Sequence, residues 1–197
     1  MRELTYFIAS SLDGFVADPG GGDPTDLSPG GFFLAQGDHS VPLMTAYPET
    51  LPGAVREALG IDAENRVFDT VLMGRKTWEL GRDLGHTNSY PRLRNIVFTQ
   101  TLPESPDPTV EFVATDPVQR VQDLKREDGL CLWLCGGGGL AESLWPEIDR
   151  LVIKVNPVLI GTGVKLFTTD NFAVRRLNLQ AHQVYESGIA VLTYTKA

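Results

Sequence analysis

The sequence predicts an α/β protein built on a mainly parallel sheet of about eight strands. Short, continuous apolar runs alternate with segments of helical character, which is typical of buried parallel strands connected by helices. Near the carboxyl terminus two strand-like segments, 172–185 and 189–196, are joined by Glu186, Ser187 and Gly188, which predicts an antiparallel hairpin at a sheet edge. With 197 residues the chain is long enough for one well-cored domain, and we expect residues 1–197 to form it.

The apolar runs define six strands ahead of this hairpin. They are predicted at Leu4–Ala9, Phe68–Met73, Arg94–Thr99, Val110–Ala114, Leu130–Leu134 and Leu151–Val155. Helices should connect them. Thr50 is a potential N-cap for a helix that ends near Gly60, a second helix follows Gly74 and ends near Gly81, and Asp116 before a proline predicts the start of a third.

One long loop is also predicted. Residues 18–31 are rich in Gly, Pro and Asp, so we expect a mobile surface loop that could close over a ligand as a lid. The segment Phe32–Ala35 that follows could open a short helix.

Composition and charge place the chain among ordinary globular proteins and exclude two kinds of partner. Apolar residues make up 42% of the sequence and charged residues 21%. The net charge of -8 and the pI near 4.8 argue against binding to nucleic acid or to an anionic membrane, because both attract basic surfaces. The N-terminal segment does not resemble a signal peptide and no apolar stretch is long enough to span a bilayer, so we expect a cytoplasmic protein.

Four consecutive glycines, Gly136–Gly139, follow the strand at Leu130–Leu134 and precede a segment of helical character. Without Cβ atoms the backbone can approach a ligand closely, and the free N–H groups at a helix start favour an anion such as a diphosphate. The alternative is a flexible turn in which glycine only avoids strain. The run matches neither G-x-G-x-x-G nor the P-loop, so by itself it does not identify a ligand.

Other candidate groups follow the predicted strands. In an open α/β sheet the ligand lies outside the carboxyl ends of the strands, so residues 9–17, 74–78, 99–101 and 136–140 should meet there. Arg75 and Lys76 would place two cations at a helix start, which suits a phosphate, although a solvated helix start is the alternative. A glycine turn that binds NADH is typically followed, about 20 residues later, by a carboxylate that binds the ribose. This chain has no carboxylate at that distance, so we expect NADPH rather than NADH.

Several segments resemble known reductases. Residues 71–79 (VLMGRKTWE) and 94–99 (RNIVFT) resemble two strands of dihydrofolate reductases with the residues that follow them. Residues 134–141, 11–14 (SLDG) and 157–167 (PVLIGTGVKLF) resemble the broader group of bacterial RibD C-terminal-type reductases. The matching segments follow one another over nearly the whole chain.

This resemblance implies a dihydrofolate-reductase-like fold that binds NADPH. By position, the phosphates on the adenosine side would be held by Gly74, Arg75, Lys76 and Thr77, with Thr99 and Gln100 beside the 2′-phosphate. The diphosphate would lie against Gly136, Gly137, Gly138, Gly139 and Leu140, and the nicotinamide against Ala9, Val16 and Ala17.

The substrate is less well defined. Dihydrofolate reductases have an acidic residue on the first helix after a Pro-Trp pair, whereas here Pro29 is followed by residues 30–36 without a carboxylate or a tryptophan. Riboflavin-pathway reductases often have a lysine where this chain has Phe15, and the motifs of their fused deaminase are missing. We therefore expect a small planar heterocycle or a carbonyl compound, pterin-like or aminopyrimidine-like, bound between Asp13, Phe32, Phe33 and Trp78.

The sequence leaves several roles open. Asp13 is the candidate proton-transfer group, with turn formation before Gly14 as the alternative, and Trp78 could instead pack a helix on the sheet. An NADP-binding sensor or scaffold without turnover is a second possible function, and an orthodox dihydrofolate reductase is a third. Oxidation of NADPH by a panel of candidate acceptors separates the sensor from an enzyme.

Two further expectations concern cysteines and assembly. Cys131 and Cys135 have neither disulfide nor zinc-site spacing, so we expect them to pack in the core, and we expect no metal site. Apolar hairpin residues would need cover at an exposed edge, which favours a homodimer; the candidates are Val191, Leu192 and Tyr194.

Overall fold

The computed structural model describes residues 1–169 and 171–197, and ten strands form its framework. They are β1 Leu4–Ser11, β2 Phe15–Ala17, β3 Phe68–Gly74, β4 Arg94–Phe98, β5 Val110–Val113, β6 Cys131–Gly136, β7 Arg150–Asn156, β8 Val164–Lys165, β9 Leu177–Val184 and β10 Ala190–Lys196. The helices are α1 Ser40–Ala46, α2 Gly53–Leu59, α3 Arg75–Asp83, α4 Pro117–Arg126 and α5 Gly138–Ser143, with 3-10 turns at Pro48–Thr50 and Trp145–Glu147.

Eight strands form the central sheet in the order β5-β4-β3-β6-β1-β7-β10-β9. The pairs from β5 through to β7 are all parallel, and β10 is antiparallel to both of its neighbours. β2 and β8 form a separate antiparallel pair. The predicted mainly parallel sheet with a C-terminal antiparallel hairpin is therefore confirmed. We call the edge where β1, β3, β4, β6 and β7 end the carboxyl edge, and the opposite one the amino edge.

Apolar layers cover both faces of the sheet. On one face, residues such as Leu72 and Leu132 pack against α4 and α5. On the other face, Phe68 and Trp133 pack with Trp78 of α3, and a smaller cluster around Val152 continues this layer over β7 and β10. The helices that follow β3 and β6 therefore lie on opposite faces of the sheet: α3 on the face of Trp133 and α5 on the face of Leu132.

Several helix boundaries match the predictions, and the start of α2 differs. Asp116 caps α4 by accepting a hydrogen bond from the Val118 N–H at 2.9 Å, and Gly60 ends α2 with φ of 63°. Thr50, however, ends a 3-10 turn rather than capping α2, because its hydroxyl donates to the Tyr47 carbonyl at 2.8 Å. The N-cap position of α2 is Pro52.

The short helix expected at Phe32–Ala35 does not form. The N–H groups of Phe32 and Phe33 both donate to the Pro24 carbonyl, and Leu34 donates to Asn156, so these residues bond to a loop and to the sheet instead of to one another. The helix begins later, at Ser40. Residues 18–31 have no helix or named strand, as predicted for a loop, and Asp23 accepts hydrogen bonds from Thr25 and Ser28 within it.

The C-terminal hairpin differs from the prediction in which strand lies at the edge. β10 lies between β7 and β9, so Val191 is buried, and Leu192 and Tyr194 are half-buried. The edge strand is β9, where Leu179 is 52% and Val184 is 69% exposed. The homodimer stays a prediction, and the strand expected at its interface is now β9 instead of β10.

None of the helices in the described part of the chain combines the length and the apolar character needed to cross a membrane.

Candidate functional site

The glycine run lies beside the start of α3 at the carboxyl edge. β3 and β6 are neighbours, with Met73 opposite Gly136. A Cβ on Gly74 would lie 3.8 Å from the Gly137 nitrogen, and a Cβ on Gly136 or Gly137 would lie 3.7 Å from the Thr77 hydroxyl oxygen. Two segments that the sequence predicts to meet thus do meet, and we call this place the glycine corner.

The four glycines have different surroundings. Gly136 has φ of 144°, which favours glycine, and its peptide bond to Gly137 is cis. A Cβ on Gly138 would collide with the Lys165 carbonyl, so this glycine lets α5 pack against β8. A Cβ on Gly139 would meet no atom within 4 Å in the described part of the chain, apart from the adjacent residues and its own helix. The corner therefore has one packed side, at Gly138, and one open side, at Gly139.

Cations and hydroxyls lie next to this corner. The Arg75 guanidinium donates to both carboxylate oxygens of Glu79, at 2.9 and 3.1 Å, one turn along α3. Lys76 is exposed and makes no ion pair with any residue that the structure describes. Thr99 follows the end of β4, next to β3; its buried hydroxyl accepts from the N–H groups of Thr101 and Leu102, while Gln100 is exposed.

Small and apolar residues lie around β1 and β2, where the nicotinamide is predicted. Val16 and Ala17 are each 8% exposed, and the Ala17 carbonyl lies so close to Gly163 that a Cβ there would collide with it. The Ile8 side chain reaches the glycine corner, 3.5 Å from the position of a Cβ on Gly136. Ala9 is half-buried on the opposite face of β1.

Asp13 holds a loop in place. Its carboxylate accepts hydrogen bonds from the Ser11 hydroxyl at 2.6 Å, from the Gly161 N–H at 2.8 Å and from the Ile160 N–H at 3.2 Å. The Ser11 bond, together with these N–H groups, holds the pKa of Asp13 below its ordinary value and keeps the group ionised. This bonding supports a structural role for Asp13, and its proposed role in proton transfer stays a prediction.

The other residues predicted to bind substrate are not all neighbours. Trp78 is 4% exposed, stacks edge-on against Phe112 of β5 and donates to the Thr87 carbonyl. These contacts support the alternative role of Trp78, in which it packs a helix on the sheet. Phe33 is buried and Phe32 is half-buried, and the next residue, Leu34, is bonded to β7. Four strands separate β5 from β7 in the sheet, so Trp78 and the Phe32–Phe33 pair lie at different places along the carboxyl edge.

One charged residue of the site escaped the sequence predictions. Lys154 lies on β7 directly opposite Ala9 of β1, so both side chains point to the same face of the sheet. Its ammonium group has no hydrogen-bond or ion-pair partner among residues 1–169 and 171–197. Burial lowers the pKa of Lys154, and Asp26 is near enough to oppose that effect. The available signal was a lysine within the otherwise apolar run Leu151–Val155.

A loop segment covers this part of the sheet. The fully buried Asn156 accepts a hydrogen bond from the Leu34 N–H at 3.0 Å and donates to the Ser10 carbonyl at 3.4 Å. Asp26 in turn accepts from the Ala35 N–H at 2.9 Å. We call Ala9 and Lys154, with the covering Leu34 and Asp26, the lysine patch.

The end of β6 contributes a neutral pair next to the glycine corner. Tyr90 and Cys135 lie close enough to influence each other's titration, and burial raises the pKa of both groups, that of Cys135 to about 12. Tyr90 also stacks edge-on against Trp133, with ring centroids 4.9 Å apart. Both cysteines are free and contact this apolar cluster, which is the packing role predicted for them.

Solved structures share this fold. A putative riboflavin biosynthesis protein from Shewanella sp. PV-4 has a TM-score of 0.66 at 23% identity, covering 100% of this chain and 99% of that one. A Thermotoga maritima diaminohydroxyphosphoribosylaminopyrimidine deaminase/5-amino-6-(5-phosphoribosylamino)uracil reductase has a TM-score of 0.62 at 15% identity, covering 100% and 57%. Dihydrofolate reductase from Enterococcus faecalis, complexed with NADP(H) and RAB-propyl, has a TM-score of 0.60 at 15% identity, covering 98% and 96%. The chain therefore has a dihydrofolate-reductase-like fold.

Sequence relatives give the family. The Bacillus subtilis (strain 168) protein YwjB is 29% identical over 169 residues, which are 84% of this chain and 83% of YwjB. The family model described as the RibD C-terminal domain matches residues 2–191. Since that match spans almost the whole chain, the protein belongs to the RibD C-terminal domain family.

Proposed function

We propose that the protein is an NADPH-dependent reductase that acts on a small planar heterocycle or carbonyl compound. The observation that supports this most directly is the glycine corner, where backbone without Cβ atoms, the Thr77 hydroxyl and the start of α3 meet at the ends of neighbouring parallel strands. Family membership supports the same function, because the fold neighbours include a uracil-type reductase and a dihydrofolate reductase complexed with NADP(H).

The residues present fit such a cofactor. The open side of the corner at Gly139 leaves room for a diphosphate against the backbone. Around a Cβ placed on Gly136 or Gly137, the non-adjacent groups within 4 Å in the described residues are the Thr77 hydroxyl and, for Gly136, the Ile8 side chain. Val16 and Ala17 offer an apolar surface for an uncharged ring. When bound, NADPH supplies a hydride from its nicotinamide ring. The protein's task is then to orient the acceptor beside that ring and to exclude water.

The preference for NADPH over NADH rests on the cations beside the corner. Lys76 is exposed and has no ion-pair partner in the described residues, and Arg75 can exchange its contact with Glu79 for a phosphate without unfolding the helix. An acidic protein such as this one needs a local basic group of this kind to bind a doubly phosphorylated nucleotide.

A Gly139→Leu substitution tests this proposal. Among residues 1–169 and 171–197, no atom beyond the adjacent residues and the α5 backbone lies within 4 Å of a Cβ at Gly139, so the variant should fold. The added side chain would occupy the space needed by a diphosphate. We expect the NADPH dissociation constant measured by isothermal titration calorimetry to rise at least ~10-fold, equivalent to about 1.4 kcal/mol. The control, Gln119→Leu on the exposed side of α4, should bind NADPH like the wild type.

The outcomes separate the possible functions. Wild-type protein that does not bind NADPH, or a Gly139→Leu variant that is folded and binds normally, would contradict the proposal. NADPH binding without oxidation by pterins, quinones or aminopyrimidines would favour a sensor or scaffold. Tight binding of methotrexate would favour an orthodox dihydrofolate reductase.

A further inference from the structure

We propose that Lys154 is a catalytic residue that binds the acceptor oxygen or nitrogen of the substrate and gives it a proton. This inference rests on the proposed function, because it assumes that a nicotinamide lies near Ala9. It adds a substrate class: acceptors in which the carbon that is reduced is double-bonded to oxygen or nitrogen, such as a pyrimidine carbonyl.

Lys154 starts beside the place where the nicotinamide is expected. The pairing of β1 and β7 sets Lys154 directly opposite Ala9, and strands in a sheet lie about 4.8 Å apart, so the lysine stem starts next to the predicted nicotinamide site. A four-carbon side chain from that point can reach an acceptor placed over Ala9. Lys154 lies two residues before the end of β7, and thus at the carboxyl edge where ligands of such sheets bind.

Lys154 also lacks an ion-pair partner among residues 1–169 and 171–197. A cation that is largely withdrawn from water costs free energy unless an opposite charge or hydrogen-bond acceptor compensates it. Within the described chain no carboxylate forms an ion pair with Lys154, although its surroundings include the apolar side chains of Val152 and Val191. An anionic or carbonyl oxygen of a substrate would supply what is missing.

The charged groups around Lys154 agree with a role in proton transfer. Asp26 faces it from the covering loop and favours the charged form, and burial, the larger effect, disfavours it, so the pKa of Lys154 is below the ordinary lysine value. His39 is also close enough to feel the lysine's charge, and that charge contributes to lowering the pKa of His39. An ammonium group with a lowered pKa gives up its proton more readily near neutral pH.

Reduction of the acceptor needs one hydride and one proton. The acceptor carbon gains the hydride that NADPH supplies, and the electron pair of its C=O or C=N bond moves to the oxygen or nitrogen. The Lys154 ammonium gives one proton from Nζ to that atom, which leaves a neutral amine. The amine regains a proton from water, so each turnover consumes one NADPH and one proton and produces NADP⁺ and the reduced substrate.

Binding of barbiturate, a pyrimidine that is an anion at neutral pH, tests the inference without turnover. Calorimetry of the wild type, Lys154→Met and Lys154→Arg would be done with and without NADP⁺. We expect Lys154→Met to weaken barbiturate binding roughly 10-fold or more, because a hydrogen bond between charged groups is lost. Lys154→Arg should retain part of the affinity, and all three proteins should bind NADP⁺ equally. Arg126→Gln, which removes an exposed cation from α4, should bind barbiturate like the wild type.

A pH series adds a readout that a merely structural lysine would not change. The barbiturate affinity of the wild type should fall as the pH rises through the lowered pKa of Lys154, and that dependence should be absent in Lys154→Met. If the wild type binds NADP⁺ but Lys154→Met binds barbiturate normally, or if barbiturate does not bind the wild type, the inference is wrong while the proposed function stands. If NADP⁺ itself does not bind, the proposed function fails.

Discussion

Lys125 near the amino edge of the sheet and Lys154 near its carboxyl edge are both withdrawn from solvent, but their surroundings differ. The Lys125 ammonium donates to the Glu147 carbonyl at 2.7 Å and lies 2.7 Å from an Asp149 carboxylate oxygen. Lys154 has no such partner in the described residues. The same side chain is thus neutralised at one edge and left available at the other.

The contrast extends to the neighbouring groups. At the amino edge, the buried Arg2 binds Asp69, the Leu130 carbonyl and the Thr70 hydroxyl, so it ties β1, β3 and β6 together. At the carboxyl edge, Lys76 has no ion-pair partner in the part of the chain described, and the Nε2 atom of the buried His39 has no hydrogen bond there. Paired charges at one edge stabilise the fold, and unpaired groups at the other cost stability that a ligand can restore.

Substituting the two lysines gives the largest expected difference. Lys125→Met would leave Asp149 and Glu147 without their cation, so we expect the free energy of unfolding to fall by about 2–3 kcal/mol. Lys154→Met removes an uncompensated cation and should leave that free energy unchanged or raise it. Urea unfolding monitored by circular dichroism measures both. Equal losses in the two variants would show that the edges do not differ in this way.

The next effect concerns cofactor choice at the glycine corner. The double variant Arg75→Gln, Lys76→Gln should bind NADPH roughly 10-fold more weakly, because the 2′-phosphate loses its cations, while NADH binding should change little. Fluorescence titration with both nucleotides measures the ratio. Arg126→Gln is the matched control for the loss of a surface cation. A parallel loss of affinity for both nucleotides would argue that these cations hold the diphosphate instead.

The smallest effect concerns His39. Burial lowers the pKa of His39 in the folded protein, so between the ordinary value of 6.5 and that lower value the unfolded chain binds a proton that the folded chain does not. Stability is therefore fully present above pH 6.5 and decreases as the pH falls through this interval. We expect the wild type to lose about 1 kcal/mol or less relative to His39→Gln between roughly pH 7.5 and 5.5. Urea unfolding at both pH values measures the difference, and parallel behaviour of the two proteins would contradict it.

Much of the fold could be predicted from patterns among residues that are close together in the sequence. Continuous apolar runs identified all six parallel strands of the central sheet, and Asp116 before a proline identified the start of α4, because these signals depend on near neighbours in the chain. The segment Phe32–Ala35 was not predictable in the same way. Its peptide groups bond to Pro24 and Asn156, and the second of these is more than a hundred residues away.

Some residues of the candidate site could likewise be predicted from their near neighbours in the sequence, and others could not. Glycines and cations next to strand ends can be read locally, and the glycine corner and α3 do lie together. Trp78 and Asp13 were ambiguous, since an aromatic side chain or a turn carboxylate has the same local sequence whether it packs or binds a ligand. The contact of Trp78 with Phe112 and the bonds of Asp13 to the 160–161 backbone support the packing and structural roles, and only the folded chain reveals them.

The sequence alone was enough to predict the six parallel strands, the C-terminal hairpin and the glycine turn, because each follows from apolar patterns or from backbone freedom within a few residues. The three-dimensional fold was needed to show that β9 rather than β10 lies at the edge, and that Lys154 lies opposite Ala9 with no ion-pair partner among the described residues. The pairing of strands distant in sequence sets both features, since it determines which side chains are covered and which charges are neutralised.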